Sequence, residues 1–108
     1  MNSIDKCIKE NRLDADGNPA GGYVSGIGIS ITWQDGPLGR GEDRKDPSGA
    51  FVETVISSAL QRIQFYQDGK FKCRENAIAI TKLEEALLWL DKRTRDRETR
   101  SVEGTHTA

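Results

Sequence analysis

The pattern of apolar and polar positions changes near the middle of the chain. Up to about residue 49, glycine and proline are frequent, and the segment GYVSGIGISITWQ alternates between apolar and polar residues. A period of two predicts one half-buried β-strand. Its apolar face would carry Ile27, Ile29, Ile31 and Trp33. The turn-forming run DADGNPAGG comes before this strand, so DKCIKENRL is predicted to be its antiparallel hairpin partner.

Two features of this half invite a functional interpretation. Gly26 and Gly28 flank an isoleucine, but a phosphate-binding loop would need a third glycine and a following helix, so we expect no such loop here. The polar segment QDGPLGRGEDRKDPSG then separates the strand from the second half. Loops of this length are either functional or disordered.

In the second half, apolar residues recur every three or four positions, which predicts two amphipathic helices. The first helix is expected to begin near Ser48, as N-cap, and to end at Gly69. Its apolar stripe would be Val52, Ile56, Ala59, Ile63 and Tyr66. The second helix covers CRENAIAITKLEEALLWLDKRTRDRETRS, with a stripe of Leu83, Leu87, Leu90 and Thr94. A short connection between two such helices predicts an antiparallel helical hairpin.

The predicted fold class is therefore α+β, with an N-terminal antiparallel β-hairpin or small sheet followed by a C-terminal antiparallel helical hairpin. A chain of 108 residues is expected to form a single domain with a modest core. Within that domain we expect a β part and loop over residues 1–47, the helical hairpin over 48–101 and a tail over 102–108.

Three apolar side chains lie well off the predicted stripes, namely Phe65, Ile78 and Trp89. Isolated exposed apolar residues are ordinary, but two large aromatic rings on a small domain indicate an interface or a stacking platform. The low hydrophobic content of 35% points the same way. We therefore expect the protein to bury apolar surface against copies of itself.

Charge and cysteine content narrow the class of function. The 16 Lys and Arg residues are balanced by 17 Asp and Glu residues, which argues against a general DNA- or RNA-binding protein. Cys7 and Cys73 are far apart and have no metal-binding spacing, so a reduced, cytoplasmic protein is expected. No signal peptide, lipidation motif or membrane span is expected.

The end of the second helix, RTRDRETRS, is rich in arginine. Arg93, Arg97 and Arg100 have the spacing of residues on one side of a helix, with Trp89 one turn earlier, whereas Arg95 points elsewhere. One interpretation is a solvated, mixed-charge helix end that suits the helix dipole. The other is a phosphate site, because the planar guanidinium matches phosphate oxygens in pairs.

The residues give little support for catalysis. His106 is the only histidine and stands near the end of the chain, and Glu84 and Glu85 point to different sides of the helix. We predict no catalytic residue, no metal site and no cofactor.

The segments WQDGPLGR, GAFVETVI, FYQ and VEGTH, with the spacing between them, resemble the phage-encoded proteins of the Thoeris anti-defence type 1 family. The helical hairpin of that family is shared with the type 2 anti-CBASS sponges. The resemblance covers residues from about Gly22 to His106, and GPLGR and VEGTH are its most specific motifs.

The resemblance implies a sponge that binds bacterial immune messengers without cleaving them. The implied ligands are glycocyclic ADP-ribose isomers and, in some members, cyclic di- or trinucleotides. The implied assemblies are homodimers, or hexamers built as trimers of dimers, with pockets between protomers. The place of action would be the cytoplasm of the bacterial host, with no DNA, RNA or membrane partner.

The resemblance also implies roles for particular residues. Phe65 or Tyr66 would stack on adenine, and Asn76 would hydrogen-bond the base or ribose. Arg93 and Arg97 would hold the pyrophosphate. Arg40, Thr105 and His106 would contribute at protomer junctions and a second anionic site.

Helical periodicity disagrees with the resemblance on two of these residues. It makes Phe65 the exposed ring and Tyr66 a core ring, so both stay candidates for stacking, and it places Asn76 on the core stripe. Two other functions also stay open. The hairpin could serve as a protein-interaction module, or the protein could be a phosphodiesterase that cleaves such messengers.

Overall fold

A computed structural model of the protein describes residues 6–101 and 104–107. The α+β prediction is confirmed, because three antiparallel strands are followed by two helices. The chain divides into two compact units, residues 1–51 with 102–108 and residues 52–101. Two units of this size can belong to one domain, so the single domain predicted for residues 1–108 stays a prediction.

The first unit contains a sheet with strand order β1-β2-β3, formed by β1 (Ile8–Leu13), β2 (Pro19–Gly26) and β3 (Ile29–Thr32). The predicted hairpin partner of the central strand is confirmed as β1. Asp14 organises the turn between β1 and β2, because its Oδ1 accepts hydrogen bonds of 2.9 Å from the backbone N–H groups of Asp16 and Asn18. Such side-chain-to-backbone bonds are the reason why aspartate favours turns.

The prediction of one continuous strand from GYVSGIGISITWQ is wrong, because the chain reverses in its middle. Gly26 pairs with Ile29, which leaves Ile27 and Gly28 as a two-residue hairpin turn. Gly28 has a φ of 75°, the left-handed conformation that such tight hairpins require. Ile27 is therefore a fully exposed turn residue and is not part of an apolar face with Ile29 and Ile31.

Ser48 is not the N-cap that the sequence suggested. The first helix, α1, begins later and covers Val52–Gln67. The Ser48 hydroxyl instead accepts a 3.1 Å hydrogen bond from the N–H of Asp35, and the Ser48 N–H donates to Oε1 of Gln34 at 2.7 Å. Ser48 thus closes the base of the long polar loop, whose only regular element in the described chain is a short 3₁₀ turn at Gly41–Asp43.

The second unit is the predicted antiparallel helical hairpin, in which α1 packs against α2 (Arg74–Thr99). The predicted end of α1 at Gly69 fits the 3.1 Å hydrogen bond from the Gly69 N–H to the Tyr66 carbonyl. Cys73 is the N-cap of α2, and its thiol accepts a hydrogen bond from the N–H of Asn76. The Gln67 amide makes two 3.0 Å hydrogen bonds to the Cys73 backbone and thereby ties the two helix ends together.

The predicted stripe of α2 is confirmed, since its four members are all half-buried. The predicted stripe of α1 is wrong in part. Ile56 and Ile63 are half-buried, but Val52, Ala59 and Tyr66 are exposed. Both three- and four-residue steps keep a stripe on one face, and α1 uses the four-residue step after Ile56 and again after Ile63. The half-buried side chains of α1 are Val55, Ile56, Leu60, Ile63 and Gln67.

No apolar side chain in residues 6–101 and 104–107 is fully buried. The predicted exposure of Phe65, Ile78 and Trp89 is confirmed, with Phe65 58% exposed and Trp89 69% exposed. Across the same residues, neither helix combines the length and apolar character of a membrane span.

Candidate functional site

A surface pocket of about 340 Å³ lies at the turn that joins α1 to α2. Its volume falls within the range of pockets that hold small molecules. Three of its six wall residues are aromatic, and all six belong to the helical hairpin. The wall is formed by Phe65, Tyr66, Asp68, Gly69, Lys70 and Phe71.

The aromatic residues of this pocket present exposed ring surface. The Phe65 and Tyr66 ring centroids are 6.0 Å apart, with a tilt of 55° between the rings. Tyr66 is 41% exposed, so the expectation from periodicity that it is a core ring is wrong. Phe71, which follows the turn, is 76% exposed. The pocket therefore offers apolar faces suited to a planar ring.

Arg62 lies one helical turn before the aromatic pair and contacts both rings. Its guanidinium carbon is 4.9 Å from the Phe65 centroid and 5.0 Å from the Tyr66 centroid, within the range of cation–π contacts. Its Nε also donates a 3.1 Å hydrogen bond to the Tyr66 hydroxyl. Arg62 is not a wall residue of the pocket, so it supports the two rings from outside it.

Asn76 is half-buried next to the pocket, in agreement with its predicted place on the core stripe. Its Nδ2 donates a 3.1 Å hydrogen bond to the carbonyl of Phe71. The Asn76 amide thus fixes the backbone at Phe71, the third aromatic residue of the pocket wall. A direct contact between Asn76 and a ligand stays a prediction.

The arginines near the end of α2 have three different environments. Arg95 forms an ion pair with Asp91 on the exposed surface, and hydrogen bonding by this carboxylate raises the pKa of Arg95. Arg93 is exposed, whereas Arg97 is only 8% exposed and has partners within the chain. The arginines of the predicted row therefore differ in burial, because Arg97 lies seven residues after Leu90 and so continues the half-buried stripe.

The arginines are far from the aromatic pocket within one chain. With a rise of about 1.5 Å per residue, Arg93 lies about 25 Å along α2 from Asn76. One small ligand cannot contact the pocket and Arg93 of the same chain. If both hold one ligand, they come from different protomers.

The two most specific motifs of the sequence meet in the first unit. The N–H of Gly39 donates a 2.8 Å hydrogen bond to the carbonyl of Gly104, which places Arg40 and Thr105 next to bonded residues. Nη1 of Arg44 donates a weaker bond of 3.4 Å to the Gly39 carbonyl. Val102 and Glu103, the first residues of VEGTH, lie outside the described residues.

His106 is exposed, and its charge acts on Asp14 in the turn between β1 and β2. The hydrogen bond from the Asn18 backbone is the main cause that lowers the pKa of Asp14, and the charge of His106 lowers it further. Arg40, Thr105 and His106 thus belong to one unit, and Phe65, Tyr66, Asn76, Arg93 and Arg97 belong to the other.

A family model for the Acb2/Tad1 hairpin domain matches residues 26–95, which is more than half of the chain. The chain belongs to the Acb2/Tad1 hairpin family. It is also similar to a protein of Bacillus phage SBSphiJ7 named Thoeris anti-defense 1, with 48% identity over 77 residues. That alignment covers 71% of this chain and 51% of the phage protein, so the chain spans about half the length of the curated relative it matches. These comparisons confirm the family that the sequence motifs indicated.

The matched hairpin contains the whole aromatic pocket and Arg93, whereas Arg97 and the tail lie beyond the matched residues. Among the residues that the structure describes in this family member, no group of three or more His, Cys, Asp or Glu side chains is placed to hold a metal ion.

The sequence does not predict several residues of the two candidate sites. Asp68, Lys70 and Phe71 line the aromatic pocket, Arg62 contacts its rings from outside, and Arg44 lies in the loop of the first unit. Arg62 could have been found from its spacing of three and four residues to Phe65 and Tyr66, since such residues are neighbours on a helix. Phe71 had no periodic signal, because it lies in the turn.

Proposed function

We propose that this protein binds nucleotide second messengers of bacterial immune systems, holds them without turnover and so blocks Thoeris signalling in the cytoplasm of the infected host. The ligands are glycocyclic ADP-ribose isomers and also cyclic di- or trinucleotides of CBASS systems. The name of the phage relative supports the Thoeris part of the proposal. The observation that carries the binding part is the aromatic pocket at the helix turn.

In this proposal the aromatic pocket takes the adenine base of the messenger. Phe65 and Tyr66 supply the stacking surface, and Asn76 binds the base or ribose in addition to holding the Phe71 carbonyl. Stacking of a base on an aromatic side chain contributes about 1–3 kcal/mol. Phe65 and Tyr66 are exposed within the protomer, so their ring faces are suited to stacking on a base.

The diphosphate of the messenger is bound by Arg93 and Arg97 of a second protomer. The distance of about 25 Å or more that separates these residues from the pocket within one chain supports this arrangement. The exposure of Phe65, Ile78 and Trp89 and the lack of a fully buried apolar core in the described residues support a homodimer or a trimer of dimers. An antiparallel pair of hairpins would bring each pocket to the arginines of its partner.

A second class of site is proposed in the first unit, where the loop meets the tail. Arg40, Thr105 and His106 provide a cation, a hydroxyl and an imidazole close to the bonded pair Gly39 and Gly104. Such a group is suited to phosphates of cyclic oligonucleotides, because guanidinium and hydroxyl donors both match anionic oxygens. This site accounts for the proposed activity against CBASS.

Binding without cleavage fits the physical needs of a sponge. Sequestration requires slow release, which comes from well-packed contacts and not from an activated nucleophile. In this proposal His106 binds phosphate and does not act as a general base. In the phosphodiesterase alternative, His106 would have to lie within hydrogen-bond distance of a water molecule positioned to attack the phosphodiester.

Mass spectrometry of small molecules released from the purified protein tests the proposal. The protein would be produced in cells whose Thoeris synthase is active and, as the control, in cells whose synthase is inactivated. We expect a glycocyclic ADP-ribose at close to one molecule per pocket in the first sample and none in the second. Absence of any nucleotide in both samples would contradict the proposal and favour a protein-interaction module.

A further inference from the structure

We infer that Gln67 is a positioning residue of the aromatic pocket: its side-chain amide fixes the backbone of Cys73 and so determines where the Phe71 ring lies. The inference rests on the proposed binding of a messenger in this pocket. Gln67 is not a wall residue of the pocket. It therefore acts through the turn between the helices and not by contact with the ligand.

The turn between α1 and α2 supplies most of the pocket wall. Four of the six wall residues follow the end of α1, namely Asp68, Gly69, Lys70 and Phe71. The backbone N–H groups of Asp68 and Gly69 still bond to carbonyls of α1, at 3.0 Å and 3.1 Å. Residues 70–73, all of which the structure describes, belong to neither helix. Other contacts must therefore hold the part of the turn that carries Phe71.

The Gln67 side chain provides such a contact through two hydrogen bonds to one residue. The Cys73 N–H donates to Oε1 of Gln67, and Nε2 of Gln67 donates to the Cys73 carbonyl, each at 3.0 Å. Two residues of neighbouring antiparallel strands exchange hydrogen bonds in the same reciprocal way. Because both backbone groups of Cys73 are bonded, its orientation is fixed as well as its distance from the end of α1.

The position of Gln67 on α1 explains why its amide is directed to this task. Gln67 lies four residues after Ile63 and continues the half-buried stripe that packs against α2. A polar amide on an aliphatic stripe needs hydrogen-bond partners, because burial without them costs free energy. The Cys73 backbone satisfies both the donor and the acceptor of this amide.

The Phe71 ring depends on backbone contacts for its position. The ring is 76% exposed, so the rest of the chain packs little against it. Asn76 bonds the Phe71 carbonyl at 3.1 Å, and Gln67 bonds the chain two residues later, at Cys73. Two side-chain amides thus hold the segment that presents the ring to the pocket.

Loss of the Gln67 hydrogen bonds would loosen the turn before a ligand binds. Binding would then have to order the turn, and such ordering lowers affinity. The two bonds lie in a half-buried place, and we expect their loss to weaken binding by about tenfold.

Calorimetric titration with glycocyclic ADP-ribose tests the role of Gln67 in four proteins, the wild type, Gln67→Met, Gln67→Glu and Gln64→Glu. Gln67→Met has a side chain of similar length without an amide and should bind about tenfold more weakly than the wild type. Gln64→Glu is the control for the added charge, because Gln64 is exposed and lies outside the pocket wall. This control should bind as the wild type does.

The pH dependence of Gln67→Glu separates positioning from a general loss of stability. At neutral pH the introduced carboxylate can accept the Cys73 N–H but cannot donate to the Cys73 carbonyl. Protonation restores the donor, and half-burial beside a carbonyl oxygen raises the pKa of the introduced carboxyl group. Its affinity relative to the wild type should therefore recover as the pH falls from about 7 to about 5. The relative affinity of Gln67→Met should not change over this range.

The ratio to the wild type at each pH removes the effect of charged groups that all four proteins share. Those nearest in sequence to the bonded pair are Asp68, Lys70, Lys72, Arg74 and Glu75. Circular dichroism at the titration temperature checks that each variant is helical. If Gln67→Met does not fold, the pH profile of Gln67→Glu decides alone.

The possible failures have different meanings. Unchanged affinity of a folded Gln67→Met would overturn the positioning role and leave the proposed function intact. A weakened Gln67→Glu that shows no recovery at low pH would overturn it as well, because the hydrogen bonds would then not be the cause. Failure of the wild type to bind would instead contradict the proposed function, and with it any role of Gln67 in binding.

Discussion

The N–H of Gly39 donates a 2.8 Å hydrogen bond to the carbonyl of Gly104, so the GPLGR loop and the glycine of the tail are held together. Gly104 has a φ of 79°, and a Cβ atom placed on it would lie 2.4 Å from the Gly39 carbonyl oxygen. The contact therefore requires glycine for two reasons, its backbone conformation and its lack of a side chain.

This contact predicts the effect of Gly104→Ala. The variant should melt several degrees lower than the wild type, since about 1 kcal/mol corresponds to about 4–8 °C in a domain of this size. It should also lose most of its affinity for a cyclic trinucleotide at the proposed loop–tail site. Gly36→Ala is the matched control, because Gly36 has a similar φ of 74° but has open space where a Cβ atom would lie. Equal effects of the two substitutions would show that backbone strain alone matters and that the contact does not.

Arg62 is predicted to position the aromatic pair. Arg62→Ala should weaken binding of glycocyclic ADP-ribose by about 5- to 70-fold, because it removes a cation–π contact of about 0.5–1 kcal/mol and a hydrogen bond of about 0.5–1.5 kcal/mol. Arg62→Lys should restore part of the loss, since the ammonium keeps the charge but not the planar group. Tyr66→Phe should produce only the smaller loss from the hydrogen bond. Arg74→Ala, an exposed arginine of α2, serves as the control in the calorimetric titration.

Substitutions of the α2 arginines should differ in their effects on affinity and stability, according to the environment of each arginine. Arg97→Ala should reduce affinity for glycocyclic ADP-ribose by about tenfold to a hundredfold, because each charge-assisted bond contributes about 1.5–3 kcal/mol. It should also lower the melting temperature, since Arg97 is buried and has partners within the chain. Arg93→Ala should reduce affinity without this loss of stability, and Arg95→Ala should change little.

Titration of these variants decides between a phosphate site and a solvated helix end. Arg97→Lys is the informative intermediate, because it keeps the charge and loses the bidentate group. Equal affinities for the Arg95→Ala and Arg97→Ala proteins would mean that the arginine-rich end has no role in binding.

The sequence was sufficient for the elements that local patterns determine. The helical hairpin, the strand pairing around Asp14 and the stripe of α2 follow from periodicity and turn chemistry. The reversal at Gly28 was missed because the alternation of apolar residues continues across the hairpin turn. The prediction of Ser48 as N-cap fails because its hydroxyl accepts a hydrogen bond from Asp35 across the loop, a contact between distant positions that no local pattern reveals.

The candidate site was less predictable than the fold. Phe65 was identified as an exposed ring by helical phase, but the exposure of Tyr66 depends on which face of α1 packs on α2. The four-residue spacing places Arg97 on the same side as Arg93, whereas its position seven residues after Leu90 indicates burial. The roles of the motif residues toward ligands came from the resemblance and stay predictions.

A binding site formed by two protomers predicts that two defective variants complement each other when they are mixed. Phe65→Ala and Arg93→Ala should each bind glycocyclic ADP-ribose poorly on their own. If each pocket takes its arginines from the partner, a mixed dimer contains one intact site, formed by Phe65 of one protomer and Arg93 of the other. Random mixing makes about half of the dimers mixed, and each mixed dimer has one intact site out of two. Mixing would therefore restore up to about a quarter of all sites.

Light scattering at micromolar concentration accompanies the mixing experiment. The wild type should be at least a dimer, in keeping with its exposed Trp89 and Phe65. No recovery of binding after subunit exchange would contradict a shared pocket, and a monomer would contradict the proposed assembly.

The chemical fate of the bound messenger distinguishes sequestration from cleavage. The wild type and His106→Ala are incubated with glycocyclic ADP-ribose, the complex is separated from free ligand, and the bound nucleotide is released by heat and examined by chromatography. We expect tight, saturable binding by both proteins and full recovery of intact ligand, because sequestration involves no turnover. Conversion of the ligand that increases with time and with protein concentration, and that is lost in His106→Ala, would contradict it.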